Sequence, residues 1–253
     1  MPLALVTGAT AGLGAEFARQ LGARGHDLVL VARDEKRLAT ARETLRQQHG
    51  VRVDVLPADL ATDTGTAAVA ERLAAGDVDV LVNNAGIGTY TPFGEASLQL
   101  EEAQLDLNVR AVLRLSHAAV TAMTPRGSGR IVNVSSVAGF VPRGGNATYS
   151  ASKAWVTMFS EALSVQLQGT GVTVTAVCPG FTHTEFHERA NADMSHVPDR
   201  MWLDADVVVR EGLDDAFAGK PVSVPSRRYQ ALVTAARTLP RPVLRAVMKA
   251  RSF

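Results

Sequence analysis

Short runs rich in valine and leucine alternate along this chain with longer stretches whose apolar residues recur at helical spacing. An unbroken apolar run of about four to eight residues marks a buried strand, and a repeat of about 3.6 residues marks a helix. Strands are expected at Leu3 to Thr7, Leu28 to Ala32, Val51 to Leu56, Val78 to Val82, Arg130 to Ser135 and Val172 to Val177, with a short one at Val222 to Val224. Helices are expected at about Gly14 to Arg24, Glu35 to His49, Asp63 to Ala75, Leu98 to Met123, Tyr149 to Gln168 and Asp204 to Ala218. Most strand runs are apolar on both faces, as they are when helices cover each side of a parallel sheet. Strict alternation with right-handed crossovers gives an α/β fold: a single-domain, Rossmann-type doubly wound parallel sheet of about seven strands with helices on both faces.

No composition shift or internal repeat divides the chain, so one domain is expected over 1–253. The alternation breaks after Pro179. A segment at about 181–203, carrying His, Asn, Asp and Pro, reads as irregular and is expected over the carboxyl edge of the sheet. A tail at 226–253 holds seven basic residues (Arg227, Arg228, Arg237, Arg241, Arg245, Lys249 and Arg251) and no acidic one. Leu232, Val233, Leu239, Val243, Leu244, Val247 and Met248 intersperse these charges, so short amphipathic helices are expected, broken at Pro240 and Pro242. They have two readings: terminal helices packed on the body or a subunit partner, or a surface for an anionic membrane or an acidic carrier.

Charge changes the picture by exclusion. With 26 Lys+Arg against 25 Asp+Glu the net charge is +1, which offers no bulk attraction to a nucleic acid. At 46% hydrophobic the chain can bury a full core. One cysteine, Cys178, forbids an internal disulfide and reads as a small core residue in a reducing compartment. No run of about 18 apolar residues exists to span a membrane. The N-terminus lacks the basic region of a signal peptide, and Glu16 and Arg19 interrupt its apolar run, so the cytoplasm is the expected location. His183 and His187, with His196 downstream, lack zinc-protease spacing and a strong third ligand, so no metal is expected.

Candidate chemistry begins where the first strand runs into Thr7-Gly8-Ala9-Thr10-Ala11-Gly12-Leu13-Gly14 and a helix follows. Amides at a helix N-terminus point outward and the dipole favours negative charge, so bare glycines there suit a pyrophosphate. Taken alone, the loop is equally an ordinary strand-to-helix turn. The second strand ends Ala32-Arg33, where an acidic residue would hold a ribose 2′-hydroxyl and repel a 2′-phosphate. An arginine there selects NADP(H): one charge-assisted hydrogen bond of about 1.5–3 kcal/mol gives roughly 10- to 150-fold preference over NAD(H). Thr10 adds a hydroxyl and Arg37 a weaker charge. Tyr149 and Lys153 are four residues apart, so they share one helix face, and an ammonium beside a phenol stabilises the phenolate. A drop of about three units from the ordinary tyrosine pKa of about 10 requires roughly 4 kcal/mol.

The spacing Gly-x-x-x-Gly-x-Gly resembles the short-chain dehydrogenase/reductase family. The resemblance continues through Asp59, Asn83-Asn84-Ala85-Gly86, Asn108, Ser136, Tyr149-Ser150-Ala151-Ser152-Lys153 and Pro179-Gly180. It implies a catalytic tetrad of Asn108, Ser136, Tyr149 and Lys153. Ser136 is chosen over Ser135 because it stands 13 residues before Tyr149. Asn108 is expected to kink its helix through backbone hydrogen bonds and to hold a proton-relaying water. The resemblance also implies a cofactor site of Gly8, Thr10, Gly12, Leu13, Gly14, Asp59, Leu60, Asn83, Ala85 and Gly86, with Lys153 on the nicotinamide ribose. Asp59 would accept from the adenine amino group, or else cap the helix near Asp63. Pro179, Gly180, Thr182 and Thr184 would lie against the nicotinamide. The implied activity is hydride transfer between C4 of NADP(H) and a small-molecule ketone or 3-oxoacyl-type carbonyl, hydrophobic in character, with Tyr149 as general acid/base. The pocket would form from about Val137 to Gly145 and Phe181 to Trp202. A homodimer or homotetramer is the expected assembly. The alternative is a non-catalytic dinucleotide sensor or scaffold.

Overall fold

A computed structural model of the protein describes residues 1–142, 145–190, 192–195 and 197–249. Seven strands form one sheet: β1 (Leu3–Thr7), β2 (Asp27–Ala32), β3 (Val53–Pro57), β4 (Val80–Asn83), β5 (Gly129–Val134), β6 (Val172–Val177) and β7 (Val222–Ser223). Their order is β3-β2-β1-β4-β5-β6-β7, and every pairing is parallel. The order reverses between β1 and β4, which opens a crevice outside the carboxyl ends of those strands, where doubly wound sheets take their ligands.

The two-sided apolar strands have a direct cause. Ala4, Val6, Leu28, Leu30, Val80 and Val82 face a layer containing Phe17 and Leu21 of α1 (Gly12–Ala23), Leu38 of α2 (Glu35–His49) and Leu213 of α8 (Ala205–Phe217). The alternate residues Leu5, Val29, Val31, Leu81 and Ile131 face Val69 and Leu73 of α3 (Asp63–Ala74) and Leu115 of α5 (Ala111–Met123). The strands β1, β2, β4, β5 and β6 thus supply both cores. The helix α6 (Ala147–Gln166) covers β6.

Two expectations are corrected. The helix foreseen over Leu98 to Met123 is α4 (Leu98–Leu105), a π-helical turn at Asp106–Arg110, and then α5. A π turn inserts one residue into the helical ladder, and the site uses this widening. In the tail, Pro240 separates α9 (Arg227–Thr238) from α10 (Arg241–Lys249), but Pro242 breaks nothing. It sits in the first turn of α10, where an amide hydrogen has no intrahelical partner to lose. Val233 and Ala236 of α9 and Leu244 of α10 are buried, so these helices pack on the body. Arg251 lies outside the described residues. No helix among the described residues is long and apolar enough to cross a membrane.

His26, between α1 and β2, is 6% exposed and meets the Phe217 ring edge-on at 5.9 Å. Its Nδ1 is buried with no hydrogen-bond partner among the described residues. Burial lowers its pKa, and a hydrogen bond to the Leu21 backbone opposes the shift only in part. Above an ordinary histidine pKa of about 6.5 both states are neutral; below it the unfolded chain takes up a proton that the folded chain resists, so stability falls with pH. The urea midpoint is therefore expected to drop between about pH 7 and pH 5, and to drop less in His26→Leu. Parallel pH profiles for the two proteins would refute this assignment.

Candidate active site

At the end of β1 the chain turns through Gly8 and Gly12, whose φ values of +65° and +51° disfavour any residue with a Cβ. Gly14 is required for a different reason: a Cβ there would collide with the Gly8 carbonyl oxygen and the Asn84 amide. The side chain of Asn84 donates to the Thr7 carbonyl at 2.9 Å. The Thr7 hydroxyl accepts from the amides of Asn84 and Ala85 at 2.9 and 3.0 Å, which ties the turn to the end of β4. The N-cap of α1 is Ala11, with no side-chain acceptor, so the first-turn amides remain for a ligand. Leu13 is half-buried against the core beneath. An uncapped helix N-terminus behind a glycine-rich turn fits a dinucleotide's pyrophosphate.

Arg33 follows β2, exposed and without a hydrogen bond or ion pair among the described residues. The next residue, Asp34, caps α2 by accepting from the Arg37 amide at 3.0 Å. Arg37 is committed elsewhere: its guanidinium donates to the Thr10 carbonyl at 2.9 Å and pairs with Glu185 at 3.1 Å. The Asp59 carboxylate accepts from the Ala61 amide, while Thr62 caps α3 through the Gly65 amide, so the capping alternative for Asp59 is corrected. Leu60 is 5% exposed and packs into the second core layer. The Asn83 amide is spent within the sheet, donating to Asn133 at 2.9 Å and Ser116 at 3.2 Å.

Tyr149 and Lys153 occupy the first two turns of α6. Lys153 is 5% exposed; its ammonium donates to the Val134 carbonyl at 2.8 Å and lies 5.7 Å from the centroid of the Tyr149 ring. Burial pulls its pKa down to about 8. Gly86 leaves the necessary room, since a Cβ there would stand 3.5 Å from Nζ and 3.0 Å from the Asn108 carbonyl oxygen. Asn108, 1% exposed within the π turn, does not bond its own helix as expected. Its oxygen accepts from the Ile87 amide at 3.0 Å, and its nitrogen donates to the Ile87 carbonyl at 2.8 Å and the Ser152 hydroxyl at 3.3 Å. The bend belongs to the π turn, and the side chain fastens it to the segment after β4.

The adjacent serines differ sharply. Ser135 is buried, donating to the Lys153 carbonyl at 2.7 Å and sharing a 2.7 Å bond with Thr157. Ser136 is half-buried, and its hydroxyl accepts from the Ala138 amide at 3.1 Å. Of the two, only Ser136 keeps its hydroxyl outside the helix contact.

Beyond β6, Gly180 lies flat on the buried ring of Tyr229 from α9. The Tyr229 hydroxyl accepts from the Phe181 amide at 3.1 Å and donates to the Met201 carbonyl at 2.7 Å. Thr182 is buried, donates to the Gly180 carbonyl at 3.0 Å and bridges to Leu203. Thr184 stands over the glycine turn, so close that a Cβ on Gly12 would meet its Cβ at 3.1 Å. Glu185 is also paired with Arg189 on the short helix α7 (Phe186–Arg189). His183 stacks on Trp202 at 4.8 Å, and His187 shares a 3.1 Å hydrogen bond with Tyr90. No three His, Cys, Asp or Glu side chains converge as a metal set among the described residues; His196, Arg143 and Gly144 lie outside them. Cys178 is fully buried, which pushes its thiol up to about 11. Sequence reasoning missed Tyr229 and the Glu185 partner of Arg37. The first carried no local signal, and an acid just before the short α7 was the only hint of the second.

Residues 2–195 match the short chain dehydrogenase family. A Streptomyces coelicolor protein provisionally named a ketoacyl reductase is 40% identical over 230 residues, which is 87% of this chain and 83% of its own. The solved structure of a short-chain dehydrogenase from Sphingobium yanoikuyae in complex with NADPH is 36% identical, with a TM-score of 0.87 and 94% of each chain covered. That of the bulky-bulky ketone specific alcohol dehydrogenase from Comamonas testosteroni is 34% identical, with a TM-score of 0.81 over 94% of this chain and 92% of that one. With this match over residues 2–195, the chain belongs to the short-chain dehydrogenase/reductase family.

Proposed function

We propose that the protein is an NADPH-dependent carbonyl reductase that turns a ketone or 3-oxoacyl-type substrate into the alcohol, with Tyr149 as general acid. The observation that carries the reading is the buried Lys153 ammonium, 5.7 Å from the centre of the Tyr149 ring and beside Gly86. The family relatives named as a ketoacyl reductase and as an alcohol dehydrogenase support it, and the cofactor is NADP(H), which the Sphingobium neighbour carries. When bound, the dihydronicotinamide supplies a hydride to the carbonyl carbon, and the oxygen takes one proton, leaving alcohol and oxidised cofactor.

The chain's own residues place the partners and move that proton. The amides of Gly12, Leu13 and Gly14 hold the pyrophosphate, Arg33 the 2′-phosphate, and Asp59 the adenine amino group. Pro179, Gly180, Thr182 and Thr184 back the nicotinamide. Ser136 donates to the carbonyl oxygen and steers it to Tyr149, whose O–H delivers the proton. Lys153 makes the resulting phenolate tolerable through its charge and holds the ribose hydroxyls. An exposed ion pair gives at most about 1 kcal/mol, against roughly 4 needed for a three-unit shift, so the low-dielectric setting of Lys153 is essential. Asn108 positions Lys153 by fixing the Ile87 segment. A scaffold has no use for a buried ammonium aimed at a phenol, and the sensor alternative gains no support from this arrangement.

Tyr149→Phe is expected to lose at least about 100-fold in kcat, the range of general acid catalysis, while NADPH affinity stays within a few-fold in a fluorescence titration. Retained turnover would remove Tyr149 from the mechanism. Ser136→Ala should lose turnover without loss of stability, whereas Ser135→Ala should show its deficit in urea unfolding, by about 0.5–1.5 kcal/mol, since Thr157 still donates to the Lys153 carbonyl. The reverse pattern would exchange the two assignments. In parallel titrations the parent should prefer NADPH to NADH by roughly 10- to 150-fold, and Arg33→Ala should erase most of that ratio. Equal affinities in the parent would defeat the role given to Arg33.

A further inference from the structure

Beside Tyr149 the substrate segment builds a surface that the reaction itself does not need. The Phe186 ring lies 5.7 Å from the Tyr149 ring, centre to centre, and Gly88 sits between them: a Cβ there would be 3.1 Å from one and 3.2 Å from the other. From Phe186 the rings continue outward. His187 meets Phe186 at 5.5 Å, Phe181 at 5.8 Å, Trp202 at 5.3 Å and Tyr90 at 6.1 Å. Of 8 Phe, 3 Tyr and 2 Trp in the whole chain, Tyr90, Tyr149, Phe181, Phe186 and Trp202 gather in this one place. All of these rings and that of His187 remain half-buried, although they touch one another. A cluster serving only as core would be closed over; this one keeps part of every ring accessible beside Tyr149.

Resting on the carbonyl-reductase reading, we propose that these rings form the substrate's distal subsite. The ketone it takes carries a planar aromatic ring system, oxygenated where it meets the Tyr90–His187 pair. Ring faces and edges recognise a planar π system by offset or edge-on contact, a gain that an alkyl chain does not share. The wall is tilted rather than parallel, with planes meeting at 44° for Tyr149–Phe186 and 46° for Phe181–Trp202, so it offers a flat guest both ring faces and ring edges. The hydrogen bond between the Tyr90 hydroxyl and His187 Nδ1 fixes two polar groups within this apolar wall. A polar pair fixed in an otherwise apolar wall gives an oxygen on the guest a defined place to bond. A wall meant for a fatty acyl chain would need neither feature.

The test uses the full-length protein with NADPH and three ketones: tetralone, a ring-hydroxylated tetralone, and the straight-chain ketone of the same carbon number. Tetralone is expected to exceed the chain ketone in kcat/KM by about tenfold or more, and Trp202→Leu to shrink that ratio by about tenfold. Tyr90→Phe, which keeps the ring, should abolish any gain of the hydroxylated over the plain tetralone. Quenching of tryptophan fluorescence by tetralone in cofactor-free protein should disappear in Trp202→Leu, which retains Trp155. A parent that reduces chain and aryl ketones equally well, or a ratio unmoved in Trp202→Leu, overturns the subsite and leaves the reductase reading standing. If NADPH binds but no ketone is reduced, the reductase reading fails, and the quenching alone decides the subsite: saturable and Trp202-dependent supports it, absent overturns it.

Discussion

A charged amine held out of water at the carboxyl edge of the sheet is the constraint around which the rest is built. Moving the Lys153 pKa from its ordinary 10.5 to about 8 corresponds to roughly 3 kcal/mol in favour of the neutral amine. At neutral pH the protein still holds it charged and bears that penalty. The Val134 carbonyl at the end of β5 is the acceptor that makes this tolerable, which fixes where β5 must stop and how α6 must lie on it. Ser135 then secures the helix by its Lys153 carbonyl, Gly86 withholds a Cβ, and Asn108 fills the remaining side. The low dielectric that makes the ammonium costly also strengthens its pull on the phenol above it.

This explains the uneven way the structure could be read from the residues. Strands were legible because both faces are buried, so their apolar runs had no competing interpretation. Their ends were less so: β2 begins at Asp27, a polar residue buried because its carboxylate takes the Arg52 amide and guanidinium at 2.9 and 2.8 Å. The break in the helix at Asp106–Arg110 leaves no mark in hydrophobic spacing, since the same residues would serve an unbroken helix. Local features such as the glycine turn and the Tyr149–Lys153 spacing could be named in advance. Partners distant in sequence could not: Asn83 with Asn133, Arg37 with Glu185, and Gly180 with Tyr229 meet only because the sheet order brings them together.

Those distant contacts also settle what holds the substrate segment down. The Arg37–Glu185 pair spans from the glycine turn to α7, but both side chains are more than 40% exposed, and exposed pairs contribute about 1 kcal/mol or less. Tyr229 does more, because its ring is buried under Gly180 and its hydroxyl clamps both Phe181 and Met201, the two ends of the segment. The helix that carries it is braced in turn by Arg237, which pairs with Glu161 of α6 at 3.3 Å and lies 4.9 Å from the centroid of the Phe140 ring. Part of the basic character of the tail is therefore structural. The aromatic wall stays in register with Tyr149 because one buried phenol, outside the site, joins the last helices to the segment that covers it.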